Sequence, residues 1–210
     1  MIPKERLIEG IRKAYGALEE KDKAREEMLK VAREIIRSAR RLVACSHVGN
    51  RDEASKLVKE LVGLVNGLNE YKLSHPDLYY SGFVQNALVE YVEARLLYSF
   101  AFGSEAPCFE ELQVDPASYL LGVADLTGEL RRLLSKYIKA DDYGSAEEIV
   151  AIMEYIFDEL RGIALPDALA PGLRRKVDVM RGVLEGARRD LLFYKRSHEL
   201  LKAMSSEGEV

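Results

Sequence analysis

Apolar residues recur at steps of three and four along almost the whole chain, and no stretch alternates apolar with polar positions for long enough to make a useful strand. The pattern is helical from Leu7 to His47, where Met28, Ala32, Ile35, Ala39 and Leu42 mark one buried stripe and Gly49-Asn50 ends the run. A second helix is predicted from about Asp52 to Leu73, with Ala54, Leu57, Val58, Leu61, Val62, Val65 and Leu68 inward. His75-Pro76 closes it, because the residue before a proline avoids α geometry. The third, from about Tyr79 to Phe102, is apolar on nearly every side, which marks a central helix. After a loop from Gly103 to Val114, Asp115-Pro116 supplies an N-cap and a first helical residue for a fourth helix reaching about Ala140. Ser145 with Glu148 reads as a capping box for a fifth, ending near Gly162 to Pro166, and Pro171 begins a sixth that reaches about Ala203. The expectation is an all-α bundle of six to seven long helices, with residues 1–204 as one helical domain and the polar tail 205–210 disordered.

Composition narrows the function classes. With 48% hydrophobic and 31% charged positions in 210 residues, the chain has enough apolar side chains for a substantial core and no signature of disorder. The first residues, Met1 to Arg6, carry charge of both signs with no apolar run after them, and no stretch approaches the roughly 18 apolar residues of a membrane span. A cytoplasmic protein with no membrane partner is expected. Cys45 and Cys108 lack a paired motif, so both are expected reduced, without structural zinc. A net charge of -4 argues against nucleic-acid binding through bulk positive charge, while leaving room for local patches. There is no P-loop, no dinucleotide glycine fingerprint and no G-x-S-x-G elbow.

The acids carry the most information. Between Tyr79 and Phe102 the only charged residues are Glu90, Glu93 and Arg95, and Arg95 lies roughly opposite Glu90 on the helical wheel. From Tyr119 to Leu130 the only charges are Asp125 and Glu129, which share a face at i, i+4 with no base in that stretch. Carboxylates in apolar surroundings must protonate, pair with a base or take up a cation. Mg²⁺ or Mn²⁺ accepts oxygen ligands and keeps waters, so carboxylates from two adjacent helices suit it. The competing reading is a set of buried ion pairs with arginines from another helix. Gly122 and Gly128 interrupt the fourth helix and are read as sites of close packing, as are Gly182 and Gly186 in the sixth.

On the first helix Lys30, Arg33, Arg37 and Arg40 form a basic stripe opposite the apolar one, with Arg41 and His47 beyond. Such a stripe could track a phosphate backbone; it could equally be a solvated face paired with Glu26, Glu27 and Glu34.

Two segments, Glu90-Tyr91-Val92-Glu93-Ala94 and the twelve residues from Tyr119 to Leu130, resemble the translin and translin-associated factor X family, closest to its catalytic branch. A looser similarity covers Arg33 to Ile35, Arg40-Arg41 and His47. The resemblance implies an all-α, translin-like bundle that forms a hollow octamer and cleaves single-stranded RNA with Mg²⁺ or Mn²⁺. Glu90, Glu93 and Asp125, with Glu129 beside them, correspond to the catalytic and metal-holding acids, and Lys30, Arg33, Arg37, Arg40, Arg41 and His47 would hold RNA. The short connection between the third and fourth helices and the lack of a basic N-terminal tail resemble a minimal prokaryotic version, for which a homo-oligomer is the simpler expectation. The alternative is a non-catalytic oligomer that binds single-stranded RNA or DNA. An all-α nucleotide pyrophosphohydrolase also uses acid-rich helices, but the denser E-E-x-x-E pattern is missing.

Overall fold

The computed structural model describes residues 4–207 and, among them, contains six long helices, two single-turn helices, one short 3-10 turn and no strand. α1 (Lys4–Val48) ends at Gly49, whose φ of 77° takes the left-handed turn that a β-carbon would disfavour. Asn50 then caps α2 (Arg51–Asn69) by accepting from the Glu53 N–H at 3.2 Å. The second predicted helix stops earlier than its pattern suggests. Asn69 donates to the Gln113 carbonyl and accepts from the Tyr79 hydroxyl, and the chain continues as the single turns α3 (Tyr71–Ser74) and α4 (Pro76–Tyr79).

α5 (Gly82–Phe102) is the central helix, buried around most of its circumference, and it packs on α1, α2 and α6. α6 (Pro116–Lys139) opens as expected: Asp115 accepts from the Ser118 N–H at 3.0 Å, with proline in the first turn. α7 (Tyr143–Arg161) begins two residues ahead of Ser145, because Asp142 rather than Ser145 is the cap and accepts from the Ser145 N–H at 3.1 Å. The predicted Ser145 capping box is therefore corrected. α8 (Leu173–Glu207) carries residues 205–207 of the expected tail as helix, and residues 208–210 lie outside the described residues.

Arg40 meets Glu90 partway along α1 and α5, and Arg51, just after α1, meets the Phe102 carbonyl at the far end of α5, so α1 and α5 run parallel. His47 meets Glu129 of α6, and Lys176 of α8 meets Asp125 of α6, which aligns these helices too. α2 and α7 run the other way. The bundle is thus two up-down-up halves, α1/α2/α5 and α6/α7/α8, whose main seam is the contact of α5 with α6. Because α5 and α6 are parallel, the connection 103–115 must return along most of a 21-residue helix, a span of about 30 Å. At the seam a β-carbon on Gly122 would fall 2.6 Å from Val92 Cβ and 2.9 Å from the Val89 carbonyl, so glycine sets how closely the two helices approach. Gly128 and Gly182 have nothing in the way of a β-carbon, so neither makes a close approach within the chain.

Candidate functional site

The E-x-x-E spacing sets Glu90 and Glu93 on the face of α5 that meets α1 and α6, and the i, i+4 spacing turns Asp125 and Glu129 of α6 toward the same seam. All four are part-buried rather than solvated. Their surroundings differ. Glu129, with a side chain only 13% exposed, accepts from His47 Nε2 at 2.6 Å and pairs with Arg132 at 3.1 Å. Asp125 is gripped through both carboxylate oxygens by Lys176 Nζ, one of them at 2.6 Å. Glu90 lies 3.5 Å from an Arg40 nitrogen.

Glu93 has no hydrogen bond and no ion pair among the described residues. Burial raises its pKa first, and the charges of Asp125, Glu129 and Glu90 raise it further against a smaller opposing effect of Lys176, which leaves it at about 8. These four influences also place Glu93 at the centre of the group. Beside it a cavity of about 390 Å³ opens between α1, α5 and α6, lined by Arg40, His47, Glu90, Glu93, Glu129 and Arg132 among others. Among the described residues no three His, Cys, Asp or Glu side chains converge closely enough to form a ready-made metal cluster.

The reading of α6 as having no base at hand needs correction: the cations come from other helices and from the turn after Glu129. Arg132 follows Glu129 by three residues and was legible. Lys176 was missed, being fifty-one positions from Asp125; its only signal is a lysine flanked by the buried Leu173 and Val177. Arg95 points away from the acids and donates to the Tyr91 hydroxyl at 3.0 Å, as the helical wheel implied.

The basic stripe divides. Arg40 and His47 line the cavity. Arg41 turns to Glu53 of α2 at 3.1 Å, and Arg37 pairs with Glu34 on its own helix. Lys30 and Arg33 are exposed farther along α1. Both cysteines are free thiols. Among the described residues no helix is long and apolar enough to cross a membrane.

Comparison with known proteins agrees with the helical fold. The model of the translin family matches residues 8–186. An uncharacterised protein of Methanocaldococcus jannaschii is 32% identical over 185 residues, which span 87% of this chain and 82% of that one. Among solved structures, AfC3PO in complex with duplex RNA superposes with a TM-score of 0.80 at 33% identity, covering 89% of this chain and 97% of AfC3PO. Apo-NeC3PO does so with a TM-score of 0.78 at 25% identity, covering 92% and 98%.

Proposed function

Because the chain belongs to the translin family, we propose that it is a metal-dependent endoribonuclease that assembles as a homo-oligomer and cleaves single-stranded RNA at the α5–α6 seam. The observation that carries this reading is Glu93, an uncompensated carboxylate in a part-buried site where three further carboxylates repel its charge. Such an acid holds its proton until a base or a cation relieves it, and a divalent ion is the relief that an all-carboxylate neighbourhood offers. Glu90, Glu93 and Asp125 would hold Mg²⁺ or Mn²⁺, with Glu129 beside them, and an all-oxygen donor set suits a hard divalent ion. When bound, such an ion supplies Lewis-acid polarisation of a phosphodiester and a water of lowered pKa.

The chain's own residues do the rest. Lys176 occupies Asp125 as a removable counter-charge on a flexible stem. His47 and Arg132 fix the orientation of Glu129. Arg40, 70% exposed at the cavity rim, is placed to take a phosphate, and contacts of that kind position a strand without reading its sequence. RNA as the ligand class is supported by the AfC3PO complex with duplex RNA. Self-assembly is supported by the uncovered apolar positions Leu7, Ile11 and Leu18 on α1 and Phe193, Leu200 and Met204 on α8; the octamer follows from the family resemblance.

The test is cleavage of a labelled single-stranded RNA, with the duplex in parallel. Cutting that requires Mg²⁺ or Mn²⁺ and stops in EDTA supports the proposal, and undiminished cutting in EDTA refutes it. The cation partners on Asp125, Glu129 and Glu90 favour one second reading, an RNA-binding oligomer whose acids are structural. It predicts retention of RNA with no turnover in either metal.

A further inference from the structure

On the other side of Asp125 from Glu93's cavity, α6 and α8 enclose a separate space of about 520 Å³, within the roughly 300–1,000 Å³ usual for small-molecule sites. Its lining is divided. Val179, Met180 and Val183 of α8 make an apolar wall, while Arg175 and Lys176 gather at the end where α8 begins.

Three features at that end are unexplained by the fold. The first turn of α8 carries Arg174, Arg175 and Lys176 in succession, although a helix N-terminus is itself positive and disfavours cations, and the one acid at its start, Asp167, accepts from the Gly172 N–H at 3.4 Å. Arg174 is turned away to the Leu165 carbonyl and Lys176 is held by Asp125, but Arg175 is exposed at the cavity with no carboxylate partner among the described residues. Thr127, only 1% exposed, is among the lining residues, and its buried hydroxyl has no hydrogen-bond partner. A helical threonine ordinarily returns that hydroxyl to a carbonyl one turn back, and leaving it buried and unpaired is costly. An anion resting here would meet all three needs. The adjoining Gly128 leaves the α6 wall low at this point, since a β-carbon there would touch nothing.

We propose that the α6–α8 cavity is a nucleotide subsite: a phosphate sits between Arg175, the opening turn of α8 and the Thr127 hydroxyl, with the attached nucleoside against Val179, Met180 and Val183. A bare phosphate would leave the apolar wall unused, and an apolar ligand would leave the cations unmatched. A nucleotide satisfies both. In the assembled reading this is the residue of the RNA strand next to the bond being cut. Arg40 holds the backbone on the α1 side of the acids and Arg175 on the α8 side, and Lys176 exchanges Asp125 for the incoming phosphate. That last assignment rests on the nuclease reading, whereas the nucleotide site itself does not.

Titration calorimetry of the intact protein in EDTA tests it, with adenosine 5′-monophosphate as probe and inorganic phosphate in parallel. The proposal expects saturable nucleotide binding, phosphate bound about tenfold more weakly or worse, and a loss of about tenfold or more in Arg175→Glu. The near-isosteric Thr127→Val should weaken binding severalfold while its thermal unfolding lies at or above that of the parent. Absence of nucleotide binding, phosphate bound as tightly as the nucleotide, or affinity unchanged in Arg175→Glu would each overturn it. Nucleotide binding without RNA cleavage would sink the nuclease proposal and leave the subsite standing; cleavage without nucleotide binding would do the reverse.

Discussion

At the flanks of the α5–α6 seam each carboxylate has a bonded partner, Glu129 in His47 and Arg132 and Asp125 in Lys176, whereas at its centre Glu93 has none among the described residues and three carboxylates raise its pKa. Flank and centre are built from the same residue types on neighbouring helices, and both are part-buried. Partnership separates them. An ion pair at a flank is a finished structural element, while a lone acid at the centre is a cost that the fold maintains. The contrast makes Glu93 the best single probe of function, because replacing it breaks no ion pair among the described residues.

The largest effect that would break this comparison is on turnover. Glu93→Gln keeps the shape and removes the charge, and should lower RNA cleavage by about a thousandfold or more, with the circular dichroism spectrum unchanged. A variant that cuts at more than a tenth of the parent rate would mean the centre is no different from the flanks.

The next is on stability. Gly122→Ala must open the seam, since Val92 and the Val89 carbonyl leave no room for a β-carbon, and should cost about 1–3 kcal/mol in denaturant unfolding despite the better helix propensity of alanine. Gly128→Ala, where nothing obstructs, should be neutral or stabilising.

The pH dependence sharpens the comparison further. Glu93 titrates at about 8 in the folded chain against an ordinary value of 4.5, so between those limits the folded state holds a proton that the unfolded state has released. Stability in EDTA should therefore fall as pH rises from about 4.5 to 8 and level off above. Thermal melts should show a flatter profile in that window for Glu93→Gln, and added Mn²⁺ should restore the parent most at the alkaline end. A parent and variant with superimposable profiles would contradict the assignment of the strain to this residue.

The smallest expected effect separates neighbours on α1. Arg40→Ala should weaken RNA binding severalfold and reduce the dependence of log affinity on log salt by about one, while Arg41→Ala, whose guanidinium is committed to Glu53 of α2, should change little. Filter binding at several salt concentrations decides between them.

Much of this was readable in the chain. The six long helices follow from apolar periodicity, and the four acids stand out because their flanks on α5 and α6 are apolar. Asp115-Pro116 marks its helix start without ambiguity, since both residues favour the same boundary. Where two signals compete the reading fails. Asp142 and Ser145 are both good caps, and only the fold shows the earlier one in use. The end of α2 at Asn69 has no local cause: Glu70 and Lys72 are good helix formers, and it is Gln113 and Tyr79 that draw the Asn69 side chain out. The bases opposite the acids were hidden for the same reason. Lys176 reaches Asp125 only because α8 lies beside α6, and helical periodicity cannot say which stripe faces which.

The parallel course of α5 and α6 bears on when the acids come together. Each half closes its own hairpins between consecutive segments, but the two central helices meet only after the return through residues 103–115 has placed one half against the other. Neither half contains the constellation alone. The repulsion around Glu93 works against that docking while the His47–Glu129 contact works for it, and amide exchange at this joint with divalent ions withdrawn reports the balance. An ion bridging the two halves would then act as a latch, tying the proposed catalytic competence to their docking.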